Sequence, residues 1–219
     1  MKILELFCGT KSVGKVFEKN GHEVVSLDFL EKFNPTVCCD ILEWDYKKDY
    51  KEGDFDVIWA SPDCSTWSVA SGGKHRLKVN MRPITEKAVI GERLIYKTLE
   101  IIDFFKPRIW FIENPRGLLQ YFTPMLDLKK TLVYYGNYKN DGEPYDMVKA
   151  THIWSNNEMW TNETKPEMDE STYTIQYHNG DGRYKRFYNR YRKGNPKSRS
   201  VIPSELIERI YNLCYNEDV

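Results

Sequence analysis

The chain has 219 residues, with 32 basic and 32 acidic side chains, a hydrophobic fraction of 41% and an aromatic fraction of 14%. This length predicts one domain with a small appendage, and the composition excludes a disordered chain. No apolar run approaches the ~20 residues that a membrane-spanning helix needs, and the first residues, MKILELF, lack the features of a signal peptide. We therefore expect a cytoplasmic protein with no membrane partner.

The cysteines are odd in number and form no CxxC pair: Cys8, Cys38, Cys39, Cys64 and Cys214. This pattern argues against a disulfide scaffold and against a zinc site, and it fits a reducing compartment. We expect no metal, and we expect four of the five cysteines to be packing residues.

Apolar runs and helical spacings alternate along the chain. The runs predict strands over residues 2–7, 22–28, 35–41, 54–61, 107–114, 131–138 and 147–156. Helical spacing predicts helices near 13–17, over 84–105 and over 202–214. This alternation predicts an α/β fold, in which a mostly parallel twisted sheet has helices on both faces. Residues 156–200 have little periodicity and are expected to form a small irregular insertion.

The unusual polar residues follow the predicted strand ends. They are Cys8–Gly9–Thr10, Asp28, Asp40, Ser61–Cys64 and Glu113–Asn114. Parallel sheets bind ligands at the carboxyl ends of their strands, so we expect a single site along this edge.

The first turn and the next two strand ends favour an adenosine-type ligand. Gly9 and Gly14 flank the turn but do not complete a GxGxxG motif. Asp28 is placed to accept hydrogen bonds from ribose hydroxyls, and Asp40 to contact an adenine amino group. Each acid taken singly is better explained as a surface loop residue, but the two together, in order at successive strand ends, favour an adenosine-type ligand. The turn lacks phosphate-cradling glycines, which favours S-adenosylmethionine over NAD.

Cys64 and Glu113 predict a specific chemistry. A thiolate is the nucleophilic form of cysteine, and the polar loop around Cys64 argues that this thiol is accessible. A carboxyl in a partly dry cleft can protonate a ring nitrogen. Attack of a thiolate at C6 of cytosine, with a proton donated to the ring, makes C5 carbanion-like and ready to accept a methyl group.

A basic block at residues 183–199 contains eight Lys or Arg and no acid, interleaved with aromatic residues. Such a block is typical of a polyanion-binding surface, although a solvated charged face is the alternative. The candidate DNA contacts here are Arg183, Lys185, Arg186, Arg190, Arg192 and Lys193.

Three segments, LELFCGTKSVG, ASPDCSTWS and FIENP, resemble the first, fourth and sixth motifs of the DNA cytosine-C5 methyltransferase family. VKATHIWSN resembles the eighth-motif region of short phage members, and SRSVIPSELIERI resembles the tenth motif. The resemblance implies a Rossmann-like S-adenosylmethionine-dependent methyltransferase fold. It also implies methyl transfer to C5 of a flipped-out cytosine in double-stranded DNA, or of a cytosine in single-stranded DNA, through a Cys64–C6 bond.

The resemblance assigns roles to individual residues. Cys64 attacks C6, Glu113 protonates N3, Asn114 shapes the strand end, and Lys149 takes the place of a family arginine near the base. The residues implied around the cofactor are Phe7, Cys8, Gly9, Thr10, Ser12, Asp28, Phe29, Asp40, Ile41, Pro62, Ser200 and Val201. The loop at 65–82 is expected to close on the base, with Ser65, Lys74, His75 and Arg76 reaching the DNA; a disordered surface loop is the alternative.

The chain also departs from the family pattern. Asp63 replaces a proline, Lys11 and Ser12 replace glycines, and Pro115 replaces a valine. Arg199 stands where the family has a neutral residue near the reactive end of the cofactor. One hypothesis is that Arg199 pairs with the carboxylate of carboxy-S-adenosylmethionine, so that a carboxymethyl group is transferred. The alternative is a phosphate contact that continues the basic block.

We expect three units: a catalytic and cofactor-binding domain at 1–155, a reduced target-recognition segment at 156–200, and a C-terminal helix at 201–219. The function expected is that of a monomeric DNA cytosine-C5 methyltransferase with relaxed or very short sequence preference, phage-like in size and cytoplasmic in a bacterial host. A catalytically inactive DNA-binding relative is the alternative of another class, supported by the lost glycines and by Asp63. RNA cytosine methylation also remains open.

Overall fold

A computed structural model of the chain describes residues 1–69, 73–77, 79–144, 148–157, 159–166, 173–177, 185–189 and 201–216. The helices are α1 (Ser12–Lys19), α2 (Tyr46–Asp49), α3 (Glu86–Phe105) and α4 (Ser204–Asn216). The strands are β1 (Lys2–Leu6), β2 (Glu23–Asp28), β3 (Val37–Cys38), β4 (Val57–Ala60), β5 (Ile109–Pro115), β6 (Lys130–Tyr134), β7 (Lys139–Asn140), β8 (Glu143–Pro144), β9 (Ala150–Ser155), β10 (Tyr173–Tyr177) and β11 (Lys185–Asn189).

Seven strands form one sheet in the order β3–β2–β1–β4–β5–β9–β6. Strands β1 to β5 pair in parallel, whereas β9 is antiparallel to both β5 and β6. The four residues of β4, VIWA, are all buried, as expected for a central strand that is covered on both faces. The predicted α/β fold with a mostly parallel sheet is confirmed, and the parallel strands end along one edge.

Two apolar layers cover the sheet. On one face, Ile95 and Phe105 of α3 pack with Leu4, Ile58 and Ile112. On the other face, α1 and α4 pack against each other and against a layer that contains Ile3, Val57, Phe111 and Ile153. Because the helices are fixed to both faces, the loops at the carboxyl edge are held in a defined arrangement.

The structure differs from the sequence-based expectation at the edges of the sheet. Strand β3 has two residues rather than the seven predicted over 35–41, since Pro35 interrupts pairing and the chain turns at Asp40. Strands β10 and β11 form an antiparallel hairpin inside the segment expected to be irregular. Their sequences, YTIQY and KRFYN, are rich in aromatic and β-branched residues, which favour strands.

Residues 159–166, which fall in the segment predicted to begin at 156, contact the edge strand of the sheet. The backbone N–H of Glu163 donates to the carbonyl of Leu132 at 2.9 Å, and the Leu132 N–H donates to Asn162 Oδ1 at 2.7 Å. The Glu163 carboxylate also accepts from the Tyr134 N–H and from the Tyr138 hydroxyl. This segment therefore covers the exposed side of the edge strand β6.

Among the helices within the described ranges, none combines the length and apolar character that a bilayer crossing requires.

Candidate active site

The turn between β1 and α1 is built around a buried carboxyl group. Glu5 is 2% exposed and accepts hydrogen bonds from the N–H groups of Val13 and Gly14 at 3.2 and 3.0 Å. Burial is the main reason that the pKa of Glu5 rises to about 7. A Cβ on Gly14 would lie 2.6 Å from Glu5 Oε2, so only glycine leaves room for this arrangement.

The backbone of this turn is unusual. Phe7, Gly9 and Lys11 have positive φ angles of 57°, 48° and 56°. A bulky residue such as phenylalanine rarely adopts this conformation, and such strain concentrates at ligand sites. The turn lies against the end of β2, where the Cys8 N–H donates to the Leu27 carbonyl at 2.9 Å.

Asp28 connects the turn to β2. Its two carboxylate oxygens accept hydrogen bonds from the Gly9 N–H at 3.0 Å and the Leu30 N–H at 2.9 Å. A carboxylate has about four acceptor positions, so two remain available to a ligand. The adjacent Phe29 is 68% exposed, which leaves its ring face open. Asp40 is exposed at the end of β3, where its Oδ1 accepts from the Leu42 N–H at 2.9 Å, and Ile41 is buried beside it.

The cysteines differ in accessibility. Cys8 and Cys214 are buried, and burial raises the pKa of the Cys8 thiol to about 12, so this thiol stays protonated. Cys8 was expected at the cofactor, and its side chain is buried, which leaves its backbone as the part that a ligand could contact. Cys64 is half-buried in the loop that follows β4.

The Cys64 loop is tied to the neighbouring strand β5. Asn114 Nδ2 donates to the carbonyl of Pro62 at 3.0 Å, and the Trp67 N–H donates to the Cys64 carbonyl at 3.0 Å. Asp63 is exposed, and its carboxylate is engaged by the backbone N–H and the hydroxyl of Ser65. Asn114 thus fixes the loop against the strand that carries Glu113, and Asp63 is turned away toward Ser65.

Two other parts of the chain, residues 117–118 and Arg76, pack against the residues after Cys64. Trp67 is fully buried, and its carbonyl accepts from the Leu118 N–H at 2.7 Å. A Cβ on Gly117 would collide with this same carbonyl, so glycine is needed for the close approach. The Arg76 guanidinium stacks on Trp67, with its carbon 3.4 Å from the ring centroid.

Arg76 corrects the sequence-based assignment. It is 1% exposed, pairs with Glu92 at 2.6 Å and donates to the carbonyls of Thr66, Met81 and Ala88. All of its donors are directed into the protein, so it cannot reach a phosphate as predicted. Lys74, by contrast, is exposed, and His75 is half-buried with its Nδ1 2.9 Å from Thr85 Oγ1 at the start of α3.

Glu113 is buried at the end of β5 with two partners on one oxygen. Its Oε1 accepts from the Tyr135 hydroxyl at 3.0 Å and lies 3.4 Å from Lys149 Nζ. The Lys149 ammonium also lies 4.5 Å from the centroid of the Tyr135 ring. Glu113 and Lys149, expected from the sequence to act near one base, are therefore neighbours.

Glu113 and Lys149 also affect the pKa of the Cys64 thiol. Burial is the largest cause of the raised pKa of its thiol, and the Glu113 charge adds to the rise, whereas the Lys149 charge opposes it. Asp63 contributes a smaller rise. Cys64, Glu113 and Lys149 are thus close enough to interact electrostatically at the carboxyl edge of the sheet.

The remaining predicted residues fall into three groups. Thr10, Ser12 and Val201 line a groove of about 720 Å³ between α1, α4 and the β7–β8 hairpin. Lys185 and Arg186 lie on strand β11. Outside the described residues lie Arg183, Arg190, Arg192, Lys193, Arg199 and Ser200.

Sequence reasoning missed Tyr135, Trp67 and Glu5. Tyr135 follows β6, two strands away from Glu113, and nothing in a linear sequence relates the two positions. Glu5 had a signal: an acid inside an otherwise apolar strand is expected to have a buried hydrogen-bonding partner.

Together, a doubly covered parallel sheet with a strained first turn and a thiol beside a carboxyl at its carboxyl edge define a Rossmann-like methyltransferase. The model of the C-5 cytosine-specific DNA methylase family matches residues 1–153. The chain belongs to this family and is a methyltransferase of the DNA cytosine-5 class.

The chain is also similar to a viral protein over nearly its whole length. A probable DNA (cytosine-5)-methyltransferase of Frog virus 3 (isolate Goorha) is 30% identical over 230 residues, covering 98% of this chain and 100% of the relative. Among solved structures, an Entamoeba histolytica methyltransferase aligns with a TM-score of 0.45 and 14% identity, over 80% of this chain and 62% of that one.

Proposed function

We propose that this protein transfers a methyl group from S-adenosylmethionine to C5 of cytosine in DNA, through a transient bond between Cys64 and C6. The observation that carries the proposal is the Asn114–Pro62 hydrogen bond, which ties the cysteine loop to the strand bearing Glu113. Family membership supports DNA as the substrate and S-adenosylmethionine as the methyl donor.

The first turn fits this cofactor better than a dinucleotide. The carboxyl of Glu5 already occupies the Val13 and Gly14 N–H groups at the start of α1, where a pyrophosphate would otherwise bind. Asp28 and Asp40 offer carboxylates to hydroxyl and amino groups, Phe29 offers an exposed ring, and Pro62 bounds the site. When bound, the sulfonium group of the cofactor supplies an electrophilic methyl group.

Cys64 provides the nucleophile. Its thiol must lose a proton, because only the thiolate attacks C6 and forms the carbon–sulfur bond. The raised pKa of this thiol means that the resting enzyme holds it protonated near neutral pH, and Lys149 favours the thiolate. Later loss of the C5 proton and breakage of the bond between C6 and sulfur restore the thiolate.

Glu113 provides the proton. A carboxyl next to N3 that donates as the thiolate attacks prevents negative charge from building up on the ring. The same proton returns to Glu113 when the covalent bond breaks, so the group ends each cycle as it began. Asn114 holds the cysteine loop in reach of this carboxyl.

The duplex hides C6, so the base must leave the stack before attack. Ser65, which follows Cys64, and the exposed Lys74 are candidate contacts for the displaced strand. The basic hairpin strand β11, with Lys185 and Arg186, is a candidate for backbone binding. Since phosphate contacts carry no sequence information, we expect short or relaxed sequence preference.

The experiment is nucleoside mass spectrometry of duplex DNA incubated with S-adenosylmethionine and either wild type or Cys64→Ser. We expect 5-methylcytosine from wild type and none from the variant. Offering carboxy-S-adenosylmethionine in parallel tests the Arg199 hypothesis, which predicts a carboxymethylated base. Competing RNA that is modified in preference to DNA, or a wild type that modifies neither, would contradict the proposal.

A further inference from the structure

We propose that Tyr135 is a positioning residue for the reaction: with Lys149 it holds Oε1 of Glu113, so that Oε2 carries the proton to the base. The inference rests on the proposed function. It starts from the fact that both partners of the carboxyl lie on the same oxygen, with Tyr135 Oη at 3.0 Å and Lys149 Nζ at 3.4 Å.

The topology explains why a tyrosine is used. Glu113 is on β5 and Tyr135 follows β6, with β9 between them. Neighbouring strands are ~4.8 Å apart, so the two side chains and the hydrogen bond between them must together span roughly 10 Å of sheet. Tyrosine contributes a long, rigid side chain to this span, and Tyr135 is fully buried, so its hydroxyl is held in place by packing.

The two oxygens of the Glu113 carboxyl have different roles in this arrangement. An oxygen that accepts from a hydroxyl and an ammonium is a poor place for a proton, because both donors already point at it. The proton of the neutral carboxyl therefore resides on Oε2. During attack it moves from Oε2 to N3, and the Tyr135 hydroxyl keeps its own proton throughout.

Tyr135→Phe tests the role, because it keeps the ring and removes only the hydroxyl. We expect kcat to fall ~10-fold, the upper end of the range for the net contribution of one hydrogen bond, with KM for DNA nearly unchanged. Tyr138→Phe is the matched control. It also loses a buried hydroxyl that bonds a carboxylate, Glu163, but away from the site, so its kcat should stay at the wild-type value.

A second measurement separates positioning from a structural defect. In 5-azacytosine the ring nitrogen at position 5 makes C6 more electrophilic, so addition depends less on the proton from Glu113. We expect the Tyr135→Phe defect in the rate of covalent-complex formation to shrink on this base. A defect of equal size on cytosine and 5-azacytosine, or a variant as fast as wild type on cytosine, would overturn the inference. A wild type that forms no complex at all would instead refute the proposed function.

Discussion

At the scale of single residues, Lys149 has two electrostatic partners. Its ammonium lies 3.4 Å from Glu113 Oε1, and its charge lowers the pKa of the Cys64 thiol against the stronger effect of burial. One cation therefore contacts the carboxyl group of Glu113 and favours the thiolate of Cys64. The proposed mechanism needs such a group, since a half-buried cysteine beside a carboxylate would otherwise hold its proton firmly.

The pH dependence of Lys149 variants tests this role. The thiolate is the reactive form and its pKa is raised, so the wild-type rate should increase with pH from neutral into the alkaline range. Lys149→Met removes the cause that lowers this pKa, so the rising limb should move to higher pH and the rate at pH 7 should fall by roughly 10-fold. Lys149→Arg retains the charge and should keep the limb close to wild type. Superimposable pH profiles for the Met variant and wild type would contradict the role.

At the scale of elements, the β1–α1 unit contains a buried carboxyl group, Glu5, whose ionisation makes the stability of the fold depend on pH. The Glu5 pKa rises from 4.5 to about 7 on folding, mainly through burial. A carboxyl whose pKa is higher in the folded state stabilises the fold at low pH and loses that contribution as pH rises from about 4.5 to 7. The shift corresponds to roughly 3 kcal/mol between these limits.

Urea unfolding at pH 5 and pH 8 measures this contribution. Between the two pH values, the free energy of unfolding of wild type should fall by roughly 2–3 kcal/mol more than that of Glu5→Gln, which cannot ionise. Other groups titrate equally in both proteins and cancel in the difference. Equal changes in the two proteins would show that Glu5 is not ionising in a buried site.

The buried contacts of Arg76 stabilise the loop after Cys64. We expect Arg76→Ala to destabilise the protein by about 3 kcal/mol or more, because it leaves Glu92 and three carbonyls without their buried donor. Urea unfolding measures the loss. Lys74→Ala, at an exposed position two residues away, should leave stability unchanged and should instead weaken DNA binding. Wild-type stability in Arg76→Ala would contradict the burial of its guanidinium.

The elements also show how far sequence reasoning extends. The long apolar runs and the 84–105 helical pattern predicted β1, β4, β5 and α3 to within a few residues, because burial on both faces leaves a strong local signal. The Cys64 and Glu113 positions followed from motifs at strand ends. Arg76 was misassigned, and Tyr135 and the contacts of residues 159–166 with β6 were missed, because they depend on contacts between residues distant in the chain.

At the scale of the whole molecule, the charge is neutral in sum but uneven in distribution. The eight basic residues of 183–199 leave the rest of the chain net acidic. A duplex should therefore be drawn to the basic block and repelled elsewhere, which orients it before any base is recognised. Binding of this kind weakens steeply with salt.

Salt titrations of DNA binding test this orientation. For Lys185→Ala/Arg186→Ala, the slope of log affinity against log salt should be shallower by about 2, since each phosphate contact contributes ~0.9. The affinity of this double variant for DNA should drop by a similar factor for duplexes of unrelated sequence. Lys51→Ala/Lys106→Ala removes the same charge from exposed positions outside the basic block and should keep the wild-type slope. Equal slopes for the two double variants would contradict binding through the basic block.

The most direct test of the covalent mechanism uses duplex DNA containing 5-fluorocytosine, where the fluorine at C5 cannot leave as a proton does and the carbon–sulfur bond persists. We expect wild type with S-adenosylmethionine to form a denaturant-resistant complex that peptide mass spectrometry maps to Cys64, and we expect Cys64→Ser to form none. A wild type that binds this DNA yet forms no covalent complex, or one linked through another residue, would contradict the mechanism.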